Sequence, residues 1–504
     1  MKKFMILGLV ALITFSCGDF LEERSQDLVY ASSCEDLNEI LIGNAYMDND
    51  IGVQYFLYSS SGNYYPWLWV MDDDMEAYTN AGLGGMSGQQ LAGFYQWKES
   101  PFVLYGNPLD DYEWERLYKH IAVTNVVVDQ VNEFPDDPEE LRNKVKGEAL
   151  FLRAAYYFLL ANMYAAPYEK DKANNTPGVP LKLTSYIEDL KFKRTRLDTL
   201  YSSIIHDLKE SAICLEKINE DQVFKANAHA ANLLLSRVYL YMGEWEEALK
   251  SCEKVSNRLY HLEKLSLPYS QNFFRVSCPE LIFAQGSECA ANIFGALGGY
   301  CFRVSDGLIG LYQSDDKYKD LRASIFLKSK SSRMVSGKIS SLFGSYIAEG
   351  DTPDTFVLRY AEVLLNKAEA LVMLDREDEA IDVLKELLET RYENGIYPEI
   401  TERGEDLVNL IRDERRRELC FEGHRWFDLR RYAVNPKYPL TDYKIIHGVY
   451  AEKPESGQAA QIGYCVLEMY PKGKGWILPI PEYEVNVNPE IGHNEREDAE
   501  YVEF

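Results

Sequence analysis

The chain has 504 residues, of which 46% are hydrophobic, and it carries 80 acidic against 53 basic residues, a formal net charge of −27. A chain of this length and apolar content can bury a large core. So strong an acidic excess disfavours charge-driven binding to nucleic-acid backbones or to anionic membrane surfaces, so we expect no nucleic-acid partner.

The first 16 residues predict an export signal rather than part of the fold. Two lysines precede a short apolar run from Phe4 to Ile13, which is too short for a stable membrane span. Cys17 directly follows a small residue and resembles the cysteine of a bacterial lipobox, although Thr14 stands where an aliphatic residue is usual. We therefore expect a signal peptide over residues 1–16 and a lipid on Cys17. An ordinary secretion signal is the alternative.

Several stretches show the 3.6-residue periodicity of helices that bury one face. They are residues 35–46, 114–134, 139–164, 199–218, 229–255 and 361–387. Ser33 is a suitable N-cap for the first of these helices, and Pro135 stops the second. The chain is therefore predicted to be mainly α-helical.

The stretches 229–255 and 361–387 share the layout of a tetratricopeptide unit, in which two helices pack closely across a turn. When Ala248 is aligned with Ala380, the small residues Ser236 and Ala368 also fall at equivalent positions of the two units. The two units are not adjacent in sequence, which excludes a simple tandem array. We expect a tetratricopeptide-type helical scaffold with long irregular loops and a few short strands.

Two regions lack helical periodicity, residues 52–110 and 265–350, and we expect loops and short strands there. Long loops inside compact domains are often functional. Their Tyr and Trp residues lie beside Gly, Ser and Asp, a composition that suits sugars, whose flat C–H faces stack on rings while hydroxyls bond polar groups. Burial in the core is the alternative for any one ring. The candidate ligand contacts are Tyr64, Trp67, Trp69, Asp73, Tyr95, Trp97, Tyr300 and Tyr312.

No catalytic or cofactor motif has the required spacing. The chain lacks a GxxxxGK phosphate loop, a GxSxG elbow and an HExxH zinc motif. Asp72, Asp73 and Asp74 lack the closing Glu of a calcium loop, so a solvated acidic turn or capping side chains are expected there, with ligand contact as the alternative. The eight cysteines other than Cys17 form no CxxC pair, which predicts mostly buried free thiols. We therefore expect no metal, no cofactor and no catalytic residue.

The stretch Leu407–Arg431 combines an apolar helical face with charges that the same helix would bury. A buried charge must be paired, and planar guanidinium groups suit carboxylates, so an ion-pair network is expected. Its members are Glu414, Glu418, Asp428, Arg412, Arg415, Arg416, Arg417, Arg425 and Arg430. The alternatives are a glycosidase that uses these carboxylates as acid and base, and a metal site at Glu422 and His424. Gly423 is expected to end the helix.

A family resemblance rests on this stretch and on the end of the chain. The pattern ERRRELCFEGHRWFDLRRY over 414–432 resembles the C-terminal signature of the SusD/RagB family of Bacteroidetes outer-membrane lipoproteins. The closing WILPIPEYEVNVNPE over 476–490 resembles the PIP-x-x-E ending of that family, with a departure at residues 491–494. The helices at 114–134 and 139–164 are similar to its first helical pair.

The resemblance implies a cell-surface, lipid-anchored protein of the outer membrane that captures oligosaccharides or polysaccharides. It would deliver them, without catalysis, to a SusC-like TonB-dependent transporter. It also implies one SusD-like domain over 17–504, with an N-terminal part to about residue 260 and a C-terminal part over 261–504. A RagB-like protein that captures peptides is the first alternative. A surface glycosidase and a purely structural lid on the transporter are the others.

Overall fold

The computed structural model describes residues 31–48, 62–78, 83, 85–188, 190–218, 222–295, 301–312, 317–330, 332–339, 350–452 and 459–504. The predicted signal peptide, Cys17 and Tyr300 lie outside these residues. No helix within the described ranges is both long and apolar enough to span a bilayer.

The described chain is mainly α-helical, as predicted. The longer helices of the scaffold are α1 Cys34–Asn44, α4 Tyr112–Gln130, α5 Glu139–Tyr164, α6 Leu197–Leu215, α7 Ala228–Met242, α8 Trp245–Glu253, α12 Tyr360–Met373, α13 Glu377–Arg391, α14 Gly404–Leu419 and α15 Arg425–Ala433. The other helices are α2 Leu68–Met71, α3 Gly85–Tyr95, α9 Cys289–Phe294, α10 Asp306–Leu311, α11 Arg322–Ile325 and α16 Glu482–Val487.

A continuous run of packed helices forms the scaffold. Helices α4 to α8 pack consecutively, each against the next, and α8 then packs on α12. Helix α12 in turn contacts α13 and α14. The two tetratricopeptide-like units are α7–α8 and α12–α13, so units that are far apart in sequence lie directly against each other.

The predicted N-cap at Ser33 is confirmed, and two further helices begin with the same chemistry. The side chains of Ser33, Asp111 and Asn227 accept hydrogen bonds from backbone N–H groups in the first turns of α1, α4 and α7. Each bond satisfies a donor that the helix leaves without an intrahelical partner. Gly243, at φ +72°, closes α7 and turns the chain into α8, a left-handed conformation that favours glycine.

Short antiparallel strands lie between the helices. They are β1 Met75–Ala77, β2 Val103–Leu104, β3 Asn107–Pro108, β4 Pro177–Pro180, β5 Arg194–Arg196, β6 Leu281–Gln285, β7 Phe302–Val304, β8 Leu327–Lys330, β9 Arg333–Ser336, β10 Phe356–Arg359, β11 Lys444–Glu452, β12 Ala459–Glu468 and β13 Glu500–Glu503. Strands β11, β12 and β13 form a three-stranded sheet, and the rest form pairs such as β1–β7 and β6–β10.

Buried apolar side chains from Cys34 to Ile491 form one continuous hydrophobic cluster. The eight cysteines in the described part of the chain are free, and all except Cys214 are buried, so the prediction of buried thiols is confirmed. Helix α3 and the short helices α2, α9, α10 and α11 lie within the two regions predicted to hold loops and short strands. Their helical periodicity is weak because α3 is rich in glycine and the other four are too short to show a period.

The end of α14 differs from the prediction. The helix stops at Leu419 rather than at Gly423. Phe421, at φ +63°, and Gly423, at φ +73°, then both adopt left-handed conformations, and the chain turns into α15. The turn brings the start of α15 back toward the charged face of α14, and this return allows Asp428 to reach Arg415.

An ion-pair network around Glu418 occupies the core beside α14. The Glu418 carboxylate accepts hydrogen bonds from Arg322 Nη1 at 2.9 Å, Arg359 Nη1 at 2.7 Å and Arg391 Nη2 at 2.8 Å. All four side chains are almost completely buried. Burial alone would raise the pKa of Glu418, but the three guanidinium groups hold that pKa well below its ordinary value.

The predicted network is confirmed for its carboxylates and corrected for some of its arginines. Glu414 pairs with Arg322 and Arg417, and Asp428 pairs with Arg415 and Arg431. The arginines that bind Glu418 come from α11, β10 and α13, outside the stretch that sequence analysis singled out. Two of the predicted arginines instead donate to backbone carbonyl groups, Arg412 to Tyr438 and Arg430 to Ala165.

Replacing Glu418 with Gln should strongly destabilise the protein. Glutamine keeps the volume but removes the charge, and it leaves Arg322, Arg359 and Arg391 without their shared counterion. Breaking one side of a buried ion pair costs about 3–5 kcal/mol. Chemical denaturation should show a loss of this size, whereas Glu405→Gln, at an exposed position on the same helix, should change stability by less than about 0.5 kcal/mol. Equal stability of the two variants would contradict this role.

The network also predicts how stability depends on pH. Because the pKa of Glu418 is lowered in the folded state, the unfolded chain binds a proton at its ordinary pKa, near 4.3, that the folded chain does not bind. The stabilisation by Glu418 is therefore present above about pH 5 and is lost as the pH falls below about 4. The difference in free energy of unfolding between wild type and Glu418→Gln, measured with urea, should be largest at neutral pH and should shrink in acid. A constant difference would contradict the assignment.

Candidate ligand-binding site

A set of half-exposed polar side chains lies where β1, β7 and α10 meet. We call Glu76, Arg303, Asp306 and Tyr450 the surface cluster. In the β1–β7 pair, Glu76 stands directly opposite Arg303 and forms an ion pair with it. Arg303 also donates to both oxygens of Asp306, at 2.9 and 2.8 Å. The Glu76, Arg303 and Asp306 side chains are 29%, 25% and 76% exposed, so the trio is fixed in position yet open to solvent.

Tyr450 on β11 completes the surface cluster, because β11 packs on β1. Its side chain is half-buried. Burial raises the pKa of the Tyr450 hydroxyl, Glu76 and Asp306 raise it further, and Arg303 lowers it. The charges of Glu76, Asp306 and Arg303 therefore act electrostatically on the Tyr450 hydroxyl from the neighbouring elements. The cluster thus joins one aromatic ring, one guanidinium group and two carboxylates.

Asp73 precedes β1 and fixes the position of the strands that carry the cluster. Its carboxylate accepts two hydrogen bonds from Arg425, at 2.7 and 2.9 Å, and pairs with Arg416 at 3.0 Å. Its backbone oxygen accepts a 2.6 Å hydrogen bond from the Ser305 hydroxyl, which joins the start of β1 to the end of β7. Burial would raise the pKa of Asp73, but Arg416 and Arg425 outweigh it and hold the pKa below its ordinary value.

The expectation of a solvated acidic turn at Asp72, Asp73 and Asp74 is therefore wrong, although a capping contact is present, because the Asp74 N–H donates to Asp72 Oδ1 at 2.9 Å. Asp72 and Asp74 are buried, and Arg416 Nε donates to Asp74 Oδ1 at 2.7 Å. Arginines on α14 and α15 draw the turn into the interior, because a carboxylate that leaves water needs a cationic partner. Direct ligand contact by Asp73 stays a prediction. Both oxygens of its carboxylate already accept hydrogen bonds from protein donors.

An aromatic stack fixes the other side of β1. The His447 ring on β11 lies between the rings of Tyr95 and Trp97, with centroid distances of 4.1 and 4.2 Å. Its two nitrogens face the carbonyl oxygens of Tyr95 and Asp72, at 2.7 and 2.8 Å. Burial lowers the pKa of His447 to about 4, against the opposing effect of both carbonyl groups. The Ala77 N–H donates to the Tyr95 hydroxyl at 2.9 Å, which ties β1 to the stack.

The predicted aromatic contacts within the described residues are all buried. They are Tyr64, Trp67, Trp69, Tyr95, Trp97 and Tyr312. Trp67 stacks on Phe94 and Trp69 stacks on Tyr65, while the Tyr312 hydroxyl donates to the Arg417 carbonyl oxygen at 2.6 Å. Large rings gain most when they leave water, so an aromatic-rich segment packs on itself. Burial leaves no ring face for a sugar, so direct contact by these six stays a prediction that their placement does not favour.

The carboxylates considered for glycosidase chemistry are unsuited to it. Glu414, Glu418 and Asp428 are each at most 3% exposed. Burial would raise their pKa values, but the paired arginines hold all three pKa values below the ordinary range. A general acid needs a raised pKa and access to the substrate, and these residues have neither.

The alternative of a metal site at Glu422 and His424 is also not supported. Glu422 accepts hydrogen bonds from Arg359 at 2.9 Å and from Lys338, and His424 Nδ1 contacts Arg415 Nη2 at 3.2 Å. A cation would be repelled by these neighbours. Within the described ranges, no group of three or more His, Cys, Asp or Glu residues could hold a metal ion.

The surface cluster was not predicted from the sequence. Glu76 and Arg303 are each the single charged residue at the centre of a three-residue strand with apolar neighbours, MEA and FRV. This alternation is typical of a strand with one polar face, but three residues are too few for the period to stand out. The pairing of the two strands, far apart in sequence, cannot be read from either one.

Trp97→Ala should lower stability rather than remove a ligand contact from a folded protein. The Trp97 indole is buried, stacks on His447 and donates from Nε1 to the Met71 carbonyl oxygen at 2.9 Å. Truncating a buried Trp costs about 3–5 kcal/mol, and Trp97→Phe, which keeps a ring on His447, should cost less. Denaturant unfolding measures both. Full stability of Trp97→Ala together with lost glycan binding would instead establish Trp97 as a ligand contact.

Two family models match separate parts of the chain. A model described as "SusD family" matches residues 328–496, and one described as "Starch-binding associating with outer membrane" matches residues 94–240. SusD-like protein P2 of Formosa agariphila is 25% identical over 373 residues, which cover 64% of this chain and 71% of the relative. SusD-like protein P38 of the same organism is 23% identical over 407 residues, 66% of this chain and 75% of the relative.

Solved structures share the fold. A putative sugar binding protein from Bacteroides vulgatus has a TM-score of 0.69 at 24% identity, over 93% of this chain and 100% of that chain. A SusD-like carbohydrate binding protein from the same species has a TM-score of 0.68 at 20% identity, over 92% and 98% of the two chains. The predicted mainly α, SusD-like helical scaffold is confirmed. With family models matching both halves of the sequence, this chain belongs to the SusD/RagB family.

Proposed function

We propose that this protein binds glycans noncovalently and that the surface cluster contributes to the binding site. Family membership supports the ligand class, since one matching model is described as starch-binding and two similar structures are described as sugar or carbohydrate binding proteins. The observation that carries the proposal is a fixed, half-exposed trio of a guanidinium group and two carboxylates, with Tyr450 on the strand that packs against β1.

The chemistry of the surface cluster suits a sugar ring. A carboxylate accepts hydrogen bonds from neighbouring hydroxyls, and a guanidinium group carries five N–H donors in a fixed plane. Arg303 directs three hydrogen-bonding contacts at Glu76 and Asp306, which leaves donor capacity for a ligand. Tyr450 offers an apolar ring edge or face for the C–H groups of the same sugar. Such a site disfavours acidic ligands, because its two carboxylates outnumber its one cation.

The surface cluster is held by a rigid layer, which supports binding. The Asp73 ion pairs and the His447 stack fix β1 and β11 from below. A site that does not have to order itself loses less conformational entropy when ligand binds. The predicted residues Asp73, Tyr95 and Trp97 thus act, in this proposal, by positioning the cluster.

We further propose that residues 17–504 work as one domain, anchored in the outer membrane by a lipid on Cys17, and that the captured glycan passes to a SusC-like TonB-dependent transporter. Support comes from the lipobox-like sequence, from the SusD/RagB family and from the model description "associating with outer membrane". Metabolic labelling with palmitate should mark the wild type but not Cys17→Ala. Labelling that survives the substitution would refute the anchor.

Tyr450→Ala and Arg303→Gln should each weaken glycan binding about tenfold or more, because each removes one of the few groups that face the ligand. Isothermal calorimetry against plant, host and microbial oligosaccharides measures the effect. Matched controls are Tyr105→Ala and Arg196→Gln, exposed residues of the same types outside the cluster, which should bind like wild type.

Other results of this titration would contradict the proposal. Glycan binding that neither cluster variant changes would place the site elsewhere on the molecule. Binding to a peptide pool alone would replace glycans with peptides as the ligand. Release of shorter sugars from a bound oligosaccharide would indicate an enzyme, and no binding by any ligand would leave a structural role on the transporter.

A further inference from the structure

The loop that follows β4 displays apolar side chains to solvent. Leu183, Tyr186, Ile187 and Leu190 are 37%, 61%, 99% and 64% exposed, and we call these four residues the apolar tip. Single exposed apolar residues are common on protein surfaces, but a group of four so close together in sequence is not. The Ile187 side chain is entirely in water, which is unfavourable compared with burial. The feature therefore calls for a partner surface that removes these side chains from water.

Polar contacts hold the loop in this orientation. The Ser185 N–H donates to Asp129 Oδ2 at 2.7 Å. Within the loop, Lys182 Nζ donates to the Tyr186 carbonyl oxygen at 2.8 Å and to Glu188 Oε2 at 2.6 Å. The apolar side chains cannot turn toward the core without loss of these hydrogen bonds, so their exposure belongs to the folded structure.

The loop lies at the end of the molecule where the described chain begins. Asp129, which binds the Ser185 N–H, is in the last turn of α4. Val131, two residues further along, accepts a 3.8 Å hydrogen bond from the Cys34 thiol at the start of α1. The apolar tip and the first described residues are therefore carried at the same end of α4.

A lipid on Cys17 would bring this end of the molecule close to a membrane. The stretch between Cys17 and Ala31, the first residue that the structure describes, is residues 18–30. A stretch of that length spans at most about 50 Å even when it is fully extended. The lipid anchor therefore keeps the end of α4 that carries the apolar tip within a short distance of the membrane surface.

The composition of the loop matches a lipid surface. Tyrosine and aliphatic side chains enter the interface between lipid headgroups and acyl chains. Residues 182–196 contain five basic and two acidic residues, although the whole chain has a net charge of −27. Lys191 and Lys193 are exposed beside Leu190, and Lys193 also pairs with Glu490 at 2.9 Å. Lysine stems pack along apolar surface and place the ammonium at the level of the phosphate groups, so the flanks of the loop favour the same partner.

We propose that the apolar tip inserts into the membrane surface beside the Cys17 lipid and forms a second point of attachment. The inference rests on the proposed function, which supplies the lipid anchor. Burial among lipid chains would recover the free energy that exposure of the four side chains forgoes. A lipid alone determines where the protein is held but not how it is turned. A second contact sets the orientation of the protein on the membrane.

The test places a fluorescent probe on the tip of the full-length, lipid-carrying protein. Ile187→Cys is labelled with bimane in a Cys214→Ser background, because the other cysteines in the described part of the chain are buried. The protein is reconstituted with phosphatidylcholine vesicles, with and without bromine on the acyl chains. We expect the emission from position 187 to shift to the blue and to be strongly quenched by bromine. Ile446→Cys, at a 60% exposed position of β11, is the matched control and should show neither change.

Three results would overturn the inference. The first is emission from position 187 that vesicles leave unchanged. The second is equal quenching at positions 187 and 446, which would indicate unspecific adsorption. The third is shielding of position 187 only in membranes that contain a protein partner, which would assign the tip to that protein. Because the contact is apolar, quenching should survive high salt, and its loss there would also contradict insertion.

Palmitate labelling and vesicle flotation of the same preparation separate this inference from the proposed anchor. Labelled protein that floats but shows no quenching at position 187 keeps the anchor and removes the tip contact. Unlabelled protein that floats and is quenched keeps the tip contact and removes the anchor. Protein that neither carries label nor floats removes both. Glycan binding is tested separately by calorimetry, in which Ile187→Ser should bind like wild type.

Discussion

The placement of Glu418 among three arginines is the constraint on which the rest of the structure depends. Arg322, Arg359 and Arg391 reach it from α11, β10 and α13, so one carboxylate joins three separate parts of the chain to α14. A buried ion cluster of this kind adds little net stability over a well-packed apolar core, but it tolerates no missing member. Its physical role is therefore to allow one arrangement of these elements, in which α14 occupies a fixed position against α12.

The position of α14 determines what can happen at the surface. Arg416, two residues before Glu418, reaches Asp73 and Asp74, and these residues set the start of β1. Strand β1 places Glu76 opposite Arg303, and β11 brings Tyr450 alongside. A chain of charge pairs thus runs from the core to a half-exposed cluster. The charge pairs are directional, and helix α14 and strand β1 connect them, so the surface groups are held in place by the buried elements, which favours binding without reorganisation.

Local sequence patterns predict the scaffold well and the site poorly, and the reason is physical. Helical periodicity and caps such as Ser33 depend on near neighbours, so α1, α4, α5 and the two repeat-like units could be predicted. The ion network could be predicted because buried charges must be paired. The rule does not identify which arginines pair with Glu418, and Arg359 lies at the end of an apolar strand that is far from Glu418 in sequence. Whether a ring such as Trp97 faces a ligand or the core depends on His447, about 350 residues away, and on β11.

Charge also influences which sugars can bind at the surface cluster of so acidic a protein. The net charge of −27 repels an acidic sugar at long range, but the Debye length is only about 8 Å at physiological ionic strength. Within that distance an acidic ligand at the surface cluster would meet the carboxylates of Glu76 and Asp306. A neutral sugar is indifferent to the field and needs only donors, acceptors and a ring. In a glycan that alternates neutral and acidic units, local charge at the surface cluster would therefore disfavour the acidic units and leave the binding of the neutral units unchanged.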